Sequence, residues 1–317
     1  MKKGICLLLA LGVSVSASGC GDRMPVRYEK LLEFASAYQS GDTVTQKALL
    51  QENHPWNKVL DAQGKTDATV EETIYQKAFE CLRDTDIVVR EPERRSDEQY
   101  SVTVTAKDLD GAIGRSMAEA IAAEVETGEG QFKDVASWLG DGIADAAKGE
   151  AKELAVLVQK DGKDYYLDTA ANEPFFNAVT GGFTDYLNTS MTVCNGTEDG
   201  ITDIMYIAAK GDYLIGMVEV MEQEYDVTGY SDEEKEELLA IGVSDFQGLD
   251  GVTSHAEFAD GKLCIRVGVD FNTVDSYTLS KLGLISGSMM GSYLSLEQTV
   301  SGFRDAGQTC ESMEWGQ

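Results

Sequence analysis

Two stretches of this chain read as strand, turn, strand: ELAVLVQKDGKDYYLD (153–168) and VTSHAEFADGKLCIRVGVDF (252–271). Each sets an Asp-Gly pair between alternating apolar runs. Such a pair tolerates the positive φ angles of a tight reversal, and the alternation then decides which side chains share a face. In the second stretch Leu263, Ile265, Val267 and Val269 fall on one side and Cys264 and Arg266 on the other. A third segment, YSVTVTAKD (100–108), sets Tyr100, Val102, Val104 and Ala106 against Ser101, Thr103 and Thr105. The chain therefore has to build antiparallel sheet.

Helical patterns surround these strands. From Val26 onward, Leu31, Leu32, Phe34, Ala35 and Tyr38 keep one apolar stripe until SGD at 40–42, and a short helix follows over 43–51. TVEETIYQKAFECLR (69–83) opens with a capping box, Thr69 and Glu72, and its spacing makes Cys81 a small core residue. Between 108 and 149 the composition turns to Ala, Gly and Glu, giving two helices broken near TGEGQ. Ser231 and Glu234 form a second capping box, and SLEQTVSGFRDAGQTCESMEW (295–315) gives a helix, a stop at Gly307 and a last strand. The expected class is α+β. N-terminal helices pack on a curved antiparallel sheet over 26–188, with a helical insert near 108–149. A second, smaller α+β domain with an antiparallel sheet covers 189–317.

Charge narrows the partners. Acidic residues outnumber basic ones by 55 to 26, a formal net charge of -29. Such a surface repels phosphate backbones and anionic lipid heads, so nucleic acid is excluded as a partner, and the charge serves mainly solubility.

The first residues carry an address. Lys2 and Lys3 precede an apolar run from Ile5 to Val15, then Ala17, Ser18, Gly19 and Cys20. The run has the length of a signal-peptide core and is too short to span a bilayer. Small residues directly before a cysteine resemble the lipobox of bacterial lipoproteins. The resemblance implies removal of residues 1–19, acylation of Cys20, a short tether at 20–25, and attachment to the extracytoplasmic face of a cell membrane, in a Gram-positive bacterium. Two acyl chains anchor stably where one is marginal. Ala17 stands where the lipobox usually has Leu, and cleavage after Val15-Ser16-Ala17 would instead release a secreted protein.

Two further resemblances cover the mature chain. AVLVQKDGKDYYLDTAANEPFFNAVTGGF, with the helices before it, resembles the nuclear-transport-factor-like, cystatin-like domains of Gram-positive lipoproteins. Tyr165 and Tyr166 stand where those domains usually have tryptophan. From about 190 on, VCNGTEDGITDIMYIAAKGD, SDEEKEELL, GLDGVTSHAEFADGKL and SLEQTVSGFRDAGQTCE resemble the YehR-like lipoproteins. That resemblance implies a small α+β domain on an exported protein and carries no catalytic residues.

Chemistry is sparse. With Cys20 acylated, Cys81, Cys194, Cys264 and Cys310 remain, and outside the cytoplasm they can pair. Cys194 with Cys310 is the preferred bridge, since it ties the first and last strands of its region together, although spacing alone does not settle the pairing. No CxxC occurs, and His54 and His255 are the only histidines. No structural metal site, cofactor fingerprint or nucleophile–histidine pair follows. Both histidines are expected at the surface. DLDG (108–111) lacks the remaining ligands of a calcium loop. Met289 and Met290 in SGSMMGS are read as core filling or a mobile loop. A cone of the cystatin type can enclose a ligand, and Tyr100, Trp138, Tyr165 and Tyr166 are the residues that would line such a cleft. The expected function is binding of a small molecule or an envelope protein, without catalysis. An enzyme acting on an apolar or acyl substrate in the cone, or a structural envelope component, are the alternatives.

Substitution Cys20→Ala is expected to move the protein from the membrane pellet to the soluble fraction. Membrane retention of the variant on fractionation would count against the anchor.

Overall fold

A computed structural model describes residues 25–91, 99–284 and 294–315. The expected leader, Cys20 and the Met289–Met290 pair lie outside them. The first half runs α1 (Val26–Ser40), α2 (Thr43–Leu49), α3 (Asn57–Ala62), α4 (Val70–Leu82), β1 (Asp86–Val89), β2 (Gln99–Thr105), α5 (Leu109–Thr127), α6 (Val135–Asp145), β3 (Lys152–Asp161), β4 (Asp164–Leu167) and α7 (Glu173–Val179). A 3₁₀ segment, Phe183–Asn188, leads into β5 (Thr189–Glu198), β6 (Ile201–Lys210), β7 (Tyr213–Glu224), α8 (Asp232–Val243), β8 (Val252–Ala259), β9 (Lys262–Asp270), α9 (Ser276–Lys281), α10 (Leu296–Asp305) and β10 (Thr309–Met313). The class is α+β with antiparallel sheets, one of them curled as a half-barrel. A four-stranded sheet has the order β1-β2-β3-β4, and a six-stranded sheet the order β10-β5-β6-β7-β9-β8.

Local chemistry explains most boundaries. Thr69 and Glu72 close a reciprocal capping box at α4, and Ser231 and Glu234 do the same at α8. Asp108 accepts the Gly111 N–H to start α5, and Gly128, at φ 68°, stops it in the left-handed conformation. In the β8–β9 hairpin Asp260 and Gly261 both have positive φ, as a two-residue reversal needs. In the β3–β4 hairpin Asp161 pairs with Asp164, so the loop is Gly162-Lys163, one residue later than the Asp-Gly motif indicates. Two short helices, α3 and α9, carry too few residues to show a helical period in the sequence.

The two sheets share one core. A single cluster of buried residues runs from Leu31, Phe34 and Trp56 through Val102, Ile113 and Trp138 to Met191, Ala208, Ile215 and Val218 on the second sheet. The helical segment expected as an insert of the first half makes this join. Helix α6 packs against α4, while α5 packs against α6 and across β7, β8 and β9. The face of β9 that carries Cys264 and Arg266 is therefore covered. Arg266 is 8% exposed, donates to the Val125 carbonyl near the end of α5, and pairs with Glu257 at 2.5 Å. A guanidinium in this place meets both a carboxylate and the negative end of a helix.

The expectation that both histidines lie at the surface is overturned for His54, which is 2% exposed. Its ring packs edge-on to Phe176, with centroids 4.2 Å apart, in a turn folded inward by Trp56. His255 sits opposite Arg266 on β8 and is half-buried.

Glycine is required where α5 meets the second sheet. A Cβ on Gly268 would stand 2.4 Å from Ile121 Cγ2 and 2.9 Å from Val125 Cγ2. Gly268→Ala is therefore expected to destabilise the fold by about 1–3 kcal/mol through overpacking. The measurement is urea unfolding, with Gly302→Ala, where nothing lies within 4 Å, as the control expected to change little.

Candidate functional site

The four aromatic residues expected to line a cleft do not gather around one. Tyr100 on β2 is 2% exposed and packs against Tyr28, with ring centroids 5.8 Å apart. Val102 and Val104 beside it are equally buried. Trp138 lies on α6, and its indole N–H donates to the Phe132 carbonyl at 3.1 Å. Tyr165 and Tyr166 are neighbours on β4 and point to opposite faces. The Lys160 ammonium lies over Tyr165, and the Tyr166 hydroxyl donates to Gln159 Oε1. Around Tyr100 the space is filled with side chains, which is why the aromatic cleft fails. The two DLDG carboxylates are also committed: Asp108 caps α5, and Asp110 accepts from Tyr186 and Lys210.

A different constellation forms on the outer face of the second sheet. Asp203 on β6 stands opposite Met221 on β7, and Met205 opposite Glu219. Asp203 and Glu219 are thus diagonal neighbours on one face, within reach of each other. Gly196 on β5 pairs with Asp203, and the missing side chain there admits Gln308, whose Cγ would lie 2.9 Å from a Cβ at that position. Gln308 donates to Asp203 Oδ2 at 2.7 Å. The remaining oxygens, Asp203 Oδ1 and Gln308 Oε1, are buried and have no donor among the described residues. These groups line an open cleft of about 570 Å³, together with Thr197, Glu198, Ile201 and Met221.

The electrostatics follow from this placement. Burial raises the Asp203 carboxyl above its ordinary range, against the lowering effect of the Gln308 hydrogen bond. Burial, reinforced by the Asp203 charge, pushes Glu219 up to about 7. The site can hold a proton near neutrality and offers acceptors that lack donors.

Next to the cleft, Cys194 and Cys310 stand directly opposite each other on β5 and β10 and form a disulfide. The bridge pins β10, an edge strand, and with it the position of Gln308 just before that strand. Cys81 and Cys264 are free thiols, and burial raises both.

The sequence pattern placed the candidate cleft in the first half, at Tyr100, Trp138, Tyr165 and Tyr166, and Asp203, Glu219 and Gln308 were missed. The signal was available in YLIGMVEVMEQE, where Glu219 interrupts the face that carries Met217 and Met221.

Because the folded state holds the Glu219 proton more tightly than the unfolded chain, the group destabilises the fold as it ionises. Stability from this group is full below the ordinary carboxylate range and is lost as pH rises to about 7. Glu219→Gln is expected to stabilise the protein by ~1–3 kcal/mol at pH 8 and to have little effect near pH 4. Urea unfolding at both pH values checks this. An equal effect at both would show that Glu219 does not titrate abnormally.

Residues 192–309 match a family described as "Protein of unknown function (DUF1307)". No curated protein is similar enough to match the chain. Among solved structures, the chain is similar to the Escherichia coli YehR protein, at 16% identity and a TM-score of 0.33, over 39% of this chain and 91% of that one. It is also similar to a protein from Streptococcus pneumoniae TIGR4, at 15% identity and a TM-score of 0.30, over 39% of this chain and 84% of that one.

Proposed function

We propose that the protein is a lipoprotein, anchored through acylated Cys20 on the extracytoplasmic face of the cell membrane, that binds a small molecule or envelope component without transforming it. In this reading the binding element is the cleft at Asp203, Glu219 and Gln308. The observation that carries it is the pair of buried acceptors, Asp203 Oδ1 and Gln308 Oε1, left without donors at an open cleft. Buried acceptors normally have partners, and a ligand with N–H or O–H groups supplies them. The N-terminal half then serves as a filled cone of the cystatin-like type. The packing of α1 on β1, β3 and β4 supports that part of the reading, as does the burial of Tyr100, Val102 and Val104.

A second reading has its own support. A carboxyl that titrates near neutrality beside another carboxyl is suited to general acid–base chemistry. The two readings separate in one experiment. Native mass spectrometry of the protein extracted from its own membranes is expected to show a bound small molecule, and Asp203→Asn with Gln308→Ala is expected to remove it. If the molecule carried by Glu219→Gln differs chemically from that carried by the unaltered protein, the site transforms its ligand. Absence of any adduct in the unaltered protein would count against binding at this cleft.

A further inference from the structure

We infer that a second ligand site, independent of the acidic cleft on the second sheet, lies over His54 and takes a small amino sugar. His54 is 98% buried, being 2% exposed. Its Nδ1 accepts the Trp56 backbone N–H at 3.1 Å, so the neutral ring carries its proton on Nε2. That Nε2 is buried and has no partner among the described residues. The ring lines an open cleft of about 530 Å³ whose other walls include Gln51, Glu173, Phe176 and Asp185.

The cleft is organised before any ligand arrives. Gln51 donates to Asp168 Oδ2 and accepts from both the backbone N–H and the hydroxyl of Thr169. This ties the segment after α2 to the segment after β4. Phe176 holds the imidazole edge-on. At the rim, Glu173 and Asp185 are exposed carboxylates. Lys210, whose charge reaches Asp185, is bonded to Asp110.

These features select a ligand by exclusion. A bare cation would suit the rim but would leave the His54 N–H without an acceptor. A simple anion would accept from His54 but would be repelled by Glu173 and Asp185. A molecule with hydroxyl oxygens at one end and an ammonium at the other satisfies both, and a sugar ring offers an apolar face to Phe176 and Pro55. An amino sugar combines these properties in a body small enough for the cleft.

The test uses the full chain labelled with ¹⁵N at histidine, with glucosamine as the probe and glucose as the uncharged control. Glucosamine is expected to shift the His54 Nε2 resonance and to bind roughly tenfold or more tightly than glucose, because its ammonium makes charge-assisted hydrogen bonds at the rim. Glu173→Gln with Asp185→Asn, both at the surface, is expected to abolish that preference while the His54 signals of the free protein stay in place. Glu219→Gln is expected to leave glucosamine binding unchanged, so loss there would place the ligand in the other cleft and overturn the inference. No shift at His54, equal affinity for the two sugars, or a preference that survives the double substitution would each overturn it as well.

Discussion

The packing of α5 against the inner face of the second sheet is the constraint on which the rest of the molecule depends. A helix can approach strands this closely only where side chains are missing, and Gly216 and Gly268 provide the space. Ile121 and Phe132 fill it above Gly216, and Ile121 with Val125 above Gly268. Arg266 then closes the end of the contact by holding the Val125 carbonyl and Glu257 together. Because α6 packs against both α5 and α4, one hydrophobic cluster spans the two sheets, while a second lies on the outer face of the six-stranded sheet.

That arrangement decides where chemistry can sit. The inner face of the six-stranded sheet is filled, so its polar groups are consumed by packing and ion pairing. The outer face is covered only in part. One end lies under Val300 and Phe303 of α10, together with residues around α9. The other lies under α8, where a Cβ on Gly242 would stand 3.1 Å from Ile265 Cδ1. Between them Asp203 and Glu219 remain half-buried, and burial raises both carboxyls. The Cys194–Cys310 bridge belongs to the same face and holds the strand that positions Gln308. Anchoring at Cys20, proposed from the leader sequence, would leave residues 21–25 between that cysteine and α1.

Legibility differed with the range of the interaction involved. Capping boxes at Thr69 and Ser231, the reversal at Asp260-Gly261 and the two helices within 108–149 depend on residues a few positions apart, and pattern alone located them. The pairing of Cys194 with Cys310 needed only the idea that first and last strands of a region meet. By contrast, Tyr100 and Trp138 were read as lining a cavity because aromatic residues suit either a pocket or a core, and period-two alternation does not separate those outcomes. His54 was misplaced for a related reason. A histidine in a turn is usually wet, and nothing local shows that Trp56 and Phe176 enclose this one.

What the sequence by itself determined, then, was the element types, the antiparallel hairpins and the acidic balance of charge, because each rests on local spacing or on summed composition. Only the tertiary structure decided that one core joins both sheets, that Arg266 lies inside, and that Asp203, Glu219 and Gln308 converge. Those facts depend on strand register and on which helix covers which face. Such contacts link residues more than a hundred positions apart, Asp203 with Gln308 and Val125 with Arg266 among them, and no local pattern encodes them.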